Sequence, residues 1–125
     1  MTQKAIHQVQ AQGKWFTLSL MEQLANIGSE VQRALRAKND QERFRSAIIR
    51  CFDLFYLTLS DKRWKGSKLR ELARLKEVLA DAVLGGELYG STLESLDKYF
   101  YYCTYAARNL KTRSVDFSEK SLLTP

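Results

Sequence analysis

With 125 residues, 45% of them apolar, the chain is long enough for one domain that buries roughly two thirds of its unfolded surface, and too apolar for a disordered tail. Its longest apolar region, 47–59 (AIIRCFDLFYLTL), is broken by Arg50 and Asp53 and falls short of the ~20 residues of a membrane span. The N-terminal stretch MTQKAIHQVQAQGK has no apolar core of signal-peptide length, so a cytoplasmic protein is expected, and the net charge of +6 points to nucleic acid or another acidic surface.

Proline occurs once, at Pro125, and nothing alternates with period two over a useful length, whereas helical spacing recurs four times. The first helix starts with a capping box, Ser19-Leu20-Met21-Glu22, in which each side chain satisfies an orphan amide of the other residue. Its seam runs through Leu20, Leu24, Ile27, Val31, Ala34 and Leu35. Gly28 sits in mid-helix beside Ala25 and Ser29 at a cost of ~1 kcal/mol against alanine, which points to a close helix–helix approach. The second helix follows the cap signal Asn39-Asp40-Gln41-Glu42 and carries Phe44, Ile48, Cys51, Phe55 and Thr58 on one side. The third opens near Ser67, presents Leu69, Leu72, Leu75, Leu79 and Val83, and stops at Gly85-Gly86, where a left-handed residue is easy for glycine. The fourth starts with Ser91-Thr92-Leu93-Glu94, read as another capping box. Its seam of Leu93, Leu96, Phe100, Cys103, Ala107 and Leu110 keeps a 3,4,3,4,3 spacing throughout.

The connections, near 38–40, 61–66 and 85–91, are short, which favours antiparallel neighbours. The expected fold is all-α: an up-down-up-down antiparallel four-helix bundle over residues 15–111, with flexible segments at 1–14 and 112–125.

In such a bundle the start of the first helix, the turn between the second and third, and the end of the fourth share one end. That end collects Lys14, Lys62, Arg63, Lys65, Lys68, Arg70, Arg108, Lys111 and Arg113 against Glu22, Asp61 and Glu71, so the whole net charge of +6 sits there with both tryptophans, Trp15 and Trp64. Part of this is what helix termini want. Lys62, Arg63 and Lys65 follow the second helix, and Arg108 and Lys111 end the fourth, where cations complement the macrodipole by ~0.3–1 kcal/mol each. Lys68 and Arg70, in the first turn of the third helix, run against the dipole, as does Asp81 in its last turn. An arrangement with a local cost invites a functional reading. Tryptophan beside Lys and Arg suits base stacking with neutralisation of a nucleic-acid backbone. Equally, the cations form a solvated, dipole-capping surface and the tryptophans plug the bundle's end.

The second and fourth helices carry more apolar surface than one stripe needs. With Phe44, Ile48, Cys51 and Phe55 facing the core, Ile49, Tyr56 and Leu57 point largely away from it. In YFYYCTY (99–105), Tyr101 and Tyr105 fall opposite Phe100 and Cys103, beside Lys98 and Arg108. Such surface marks an interface, and the preferred reading is a homo-oligomer. A surface for another protein, or tyrosines stacking on single-stranded RNA, are the alternatives.

Little else suggests chemistry. The one histidine, His7, lies in the expected N-terminal segment, and no Glu-x-x-His pair offers a bundle-type metal site. LGGELYG (84–90) lacks the Lys-Ser/Thr ending and the preceding strand of a phosphate loop. Cys51 and Cys103 both fall on apolar seams and read as buried free thiols, not as a metal or redox pair. Asp53 is expected to pair with Arg50 one turn back. No catalytic residue, metal, cofactor or small-molecule substrate is expected, and the chain is read as a non-enzyme.

The stretches LSLMEQLANIGSEVQRAL (18–35), ERFRSAIIRCFDLFYLTLSDKRWKG (42–66) and LESLDKYFYY (93–102) resemble small uncharacterised bacterial helical proteins. These in turn are similar to the four-helix-bundle group of ribosomal intervening-sequence proteins. That group includes the accessory variability determinant, which assists the reverse transcriptase of diversity-generating retroelements. The pattern Gln23, Ala25, Ser29 and Arg33 carries the likeness to the named group, with bundle length, helix count and basicity. The resemblance implies a non-enzymatic, oligomeric, basic bundle that binds nucleic acid, RNA more than DNA, and works beside a polymerase; it assigns no site residue.

Overall fold

The computed structural model describes residues 13–112, and all regular secondary structure among them is helical. Residues 13–15 are helical and lead into α1 (Leu20–Arg36), α2 (Gln41–Ser60), α3 (Ser67–Val83) and α4 (Leu93–Thr112). The expected flexible segments, with His7 and Arg113, lie outside the described residues apart from 13–14 and 112, which are helical.

Local chemistry sets the boundaries. Ser19 and Glu22 form both halves of the capping box at α1, the Ser19 hydroxyl accepting from the Glu22 amide at 3.1 Å and the Glu22 carboxylate from the Ser19 amide at 3.0 Å. Asp40 caps α2 by accepting from the Arg43 amide. At α4 the box is shifted by one residue from the expected Ser91–Glu94. Thr92 Oγ1 accepts from the Ser95 amide and Ser95 Oγ from the Thr92 amide. Starting there buries Leu93 and Leu96 together, and it leaves Glu94 outside to pair with Lys38 at the end of α1.

α1 is the central element. Leu20, Leu24, Ile27, Val31 and Ala34 are fully buried along it, and it packs against both α2 and α4. Contacts that ascend α1 descend α2: Trp15 meets Thr58, the Ile27 carbonyl faces the Cys51 thiol, and Glu30 pairs with Arg50. Arg50, expected to pair with Asp53, thus reaches across to α1. The same reversal relates α1 to α4, because Gly28 faces Phe100 and Lys38 reaches Glu94.

The close approach expected at Gly28 is present. A Cβ there would stand 2.4 Å from the Phe100 Cβ, inside any tolerable contact, so the glycine's helix cost is offset by tight packing of α1 on α4. α3 docks more thinly against α2 and α4. Only Leu72, Leu79 and Asp81 are buried in it, and Leu69, expected on its seam, is exposed. No helix among the described residues is long and apolar enough to cross a membrane.

Candidate functional site

The start of α1 and the α2–α3 turn are joined by a buried polar network centred on Gln23, which has no solvent-accessible surface. Its Nε2 donates to the Trp15 carbonyl oxygen at 3.0 Å and to Asp61 Oδ2 at 2.9 Å. Its Oε1 accepts from the Trp64 indole N–H at 2.8 Å. The Trp15 indole N–H donates to Thr58 Oγ1 at 3.1 Å. Each buried polar side chain in this group therefore has a partner, the condition under which polar groups stabilise a core rather than weaken it.

Asp61 links the network to the surface. Its carboxylate accepts from the Arg63 amide, Nε and Nη2, the last at 2.7 Å, and Arg63 Nη2 also donates to the Leu18 carbonyl oxygen. The Arg63 hydrogen bonds hold the Asp61 carboxyl at about 2, against an ordinary 3.8, more than offsetting the opposing effect of burial. The guanidinium also lies 4.5 Å from the Trp64 ring centroid, and the Lys68 ammonium 5.6 Å.

This geometry revises the expected site. Trp15 and Trp64 are only 5% and 8% exposed, and both indole N–H groups are spent inside. They close the end of the core and present no face for a base. Arg63 clamps the turn to the segment just before α1. Lys14, Lys62, Lys65 and Arg70 are exposed around this plug, with Lys68 half-buried over Trp64. Arg108 is exposed on α4, beside Glu22, Ala25 and Asn26 of α1 in a shallow cleft of about 180 Å³. Lys111 lies in the last turn of α4; its side chain falls outside the described residues.

Two of the three charges that run against a helix dipole have structural partners. Lys68 sits over Trp64, and the Asp81 carboxylate accepts from the Leu88 and Tyr89 amides. Arg70 has no partner among the described residues, and it alone keeps the argument from local cost.

On the outer faces, Ile49, Tyr56, Tyr101 and Tyr105 are exposed as expected, while Leu57 is half-buried against the core. The Lys76 ammonium covers Tyr56 at 4.6 Å. Tyr102, absent from the expected set, is as exposed as its neighbours and forms an edge-to-face pair with Tyr101. Sequence reasoning also missed Gln23 as the hub. The signal was a polar residue one position before Leu24, inside the stripe between Leu20 and Ile27.

A second concavity of about 760 Å³ lies at the α1–α2 corner, lined by Arg33, Arg36, Arg43 and Arg50 with Asp40 and Glu42. Three of these arginines are held by Glu30 and Asp40, so it is largely neutralised. Cys51 and Cys103 are free and buried, and burial pushes each thiol up to about 12. Among the described residues no three His, Cys, Asp or Glu side chains are grouped to hold a metal ion. Comparison with protein-family models, with curated proteins and with solved structures finds no match.

Proposed function

We propose that the chain is an up-down-up-down four-helix bundle whose basic end binds a polyanion, RNA in the first place, as a non-enzymatic accessory protein of the cytoplasm. The observation that carries this reading is the placing of Lys14, Lys62, Lys65, Lys68 and Arg70 around a plug whose buried carboxylate is already neutralised by Arg63. Lys14, Lys62, Lys65 and Arg70 are not needed to satisfy the interior, and Arg70 stands where its own helix disfavours it. Phosphate contact by this end is electrostatic and does not use the tryptophans. RNA over DNA, and a reverse transcriptase as the enzyme assisted, rest on the resemblance alone.

Fluorescence anisotropy with single-stranded RNA over a salt series tests it. Affinity should fall steeply with salt, and replacing Lys65, Lys68 and Arg70 together by Gln should weaken binding and flatten the salt slope by about 2–3. No binding at ~50 mM salt, where phosphate contacts are strongest, would sink the proposal.

The outer faces favour a second reading, a homo-oligomer or an adaptor for another protein. Tyr101, Tyr102 and Tyr105 crowd one exposed stretch of α4, and tyrosine is a residue that interfaces favour. A self-associating protein that becomes monomeric with Tyr101→Ser and Tyr105→Ser, while RNA binding persists, would separate the two.

A further inference from the structure

The 84–90 loop lies at the other end of α1 and α2 from the tryptophans, and it is tightly built. The buried Asp81 carboxylate accepts from the Leu88 amide at 3.1 Å and the Tyr89 amide at 2.9 Å. The Asp81 carbonyl accepts from the Gly86 amide at 2.8 Å, and the Gly86 carbonyl from the Gly90 amide at 2.9 Å. Gly86 has φ 76°, and a Cβ there would stand 2.7 Å from the Ser91 carbonyl oxygen, so only glycine fits this turn. Tyr89 adds a hydroxyl contact to Glu77 at 3.2 Å.

All this order holds two leucines in water. Leu84 and Leu88 are each 84% exposed, the largest values among the exposed large apolar side chains. Leu84 stands between Val83 and Gly85, which line a groove of about 780 Å³ with Phe44, Ile48 and Leu93. On its rim Lys38 is paired with Glu94, so Arg45 is its unpaired cation among the described residues. Glu87, between the leucines in sequence, is exposed, as is Arg45. Neither has a partner among the described residues.

Apolar knobs carrying a negative charge thus adjoin an apolar hole carrying a positive one. A surface that holds both halves of a complementary pair at the same end matches itself under a two-fold axis, which closes at two copies instead of growing into a fibre. We propose that two copies of this chain dock through this end, Leu84 and Leu88 of each entering the groove of the other and Glu87 facing Arg45 across the axis. The preordered loop lowers the entropy cost of docking. Two leucines and one charge pair from each copy make a small contact, so a weak dimer is expected. It leaves the basic ends pointing outward, and it stands whatever those ends bind.

Sedimentation velocity on the full chain, from low to several hundred micromolar, reads this directly. The expected result is a monomer converting to a dimer with concentration. Leu84→Glu with Leu88→Glu should abolish the dimer without changing helical circular dichroism or the unfolding midpoint, because both side chains are solvated in the monomer. Glu87→Arg and Arg45→Glu should each weaken it about tenfold, and together restore it. A monomer at every concentration, a dimer that survives the leucine changes, or charge swaps that fail to rescue one another would each overturn the proposal. So would a dimer lost with Tyr101→Ser and Tyr105→Ser instead, which assigns self-association to the outer face of α4.

Discussion

Where α1 begins and α2 turns into α3, two tryptophans are buried, and the polar side chains that accompany them inside all have partners. At the other end of α1, two leucines stand in water beside a groove they do not fill. Both ends are hydrogen-bonded through a buried aspartate, yet Asp61 closes the core whereas Asp81 shapes a loop that stays outside it. The difference teaches that an aromatic residue among cations is poor grounds for a stacking site when the fold has an end to close. Large apolar side chains on an ordered loop, with no core to enter, are the better sign of a surface meant for contact.

The contrast breaks most readily at the plug. Trp15→Ala or Trp64→Ala should cost about 3–5 kcal/mol in urea unfolding, from lost burial and from the orphaned oxygen of Thr58 or Gln23. A cost below ~1 kcal/mol would mean that the tryptophans are held loosely and the end is open.

Next comes Asp61. Its depressed folded pKa gives stability that is fully present above the ordinary carboxylate value and is lost as pH falls through about 2. Asp61→Asn should therefore cost on the order of 2 kcal/mol at neutral pH, and the gap from the unsubstituted protein should close between roughly pH 4 and pH 2. Chemical denaturation across that window measures it; a gap independent of pH would show that the Arg63 pairing contributes nothing.

Asp81→Ala should cost less, about 1 kcal/mol globally, because the loop it orders carries little of the core. Hydrogen exchange should speed up at the Leu88 and Tyr89 amides and leave α1 unchanged. If α1 is equally affected, the loop is part of the cooperative core and the two ends are alike. Smallest of all, Leu84→Ser with Leu88→Ser should move stability of the dilute protein by no more than ~0.5 kcal/mol, as expected of solvated side chains.

Much of the helical framework was legible residue by residue. The capping box at Ser19, the cap signal within 39–42 and the stop at Gly85-Gly86 depend on near neighbours and are present. The approach at Gly28, signalled by a glycine among small residues, meets Phe100 on another helix. The cap of α4 was misplaced by one because Ser91 and Thr92 both carry a hydroxyl, and the choice between them turns on which start buries Leu93 and Leu96. Leu69 was misplaced because a third helix packed on only part of its stripe leaves its first turn in water. The basic end was legible as a count of charges, but the parts within it were not.

The sequence by itself determined four amphipathic helices, their order and the thiols on their buried seams, because spacing along a helix decides which side chains share a face. Tertiary structure decided what the ends do. Whether Trp64 faces a base or Gln23, and whether Trp15 faces solvent or Thr58, depends on segments about 40 positions apart meeting within hydrogen-bond distance. Periodicity carries no information about such a meeting, because the partners lie on different helices and in the turn between them.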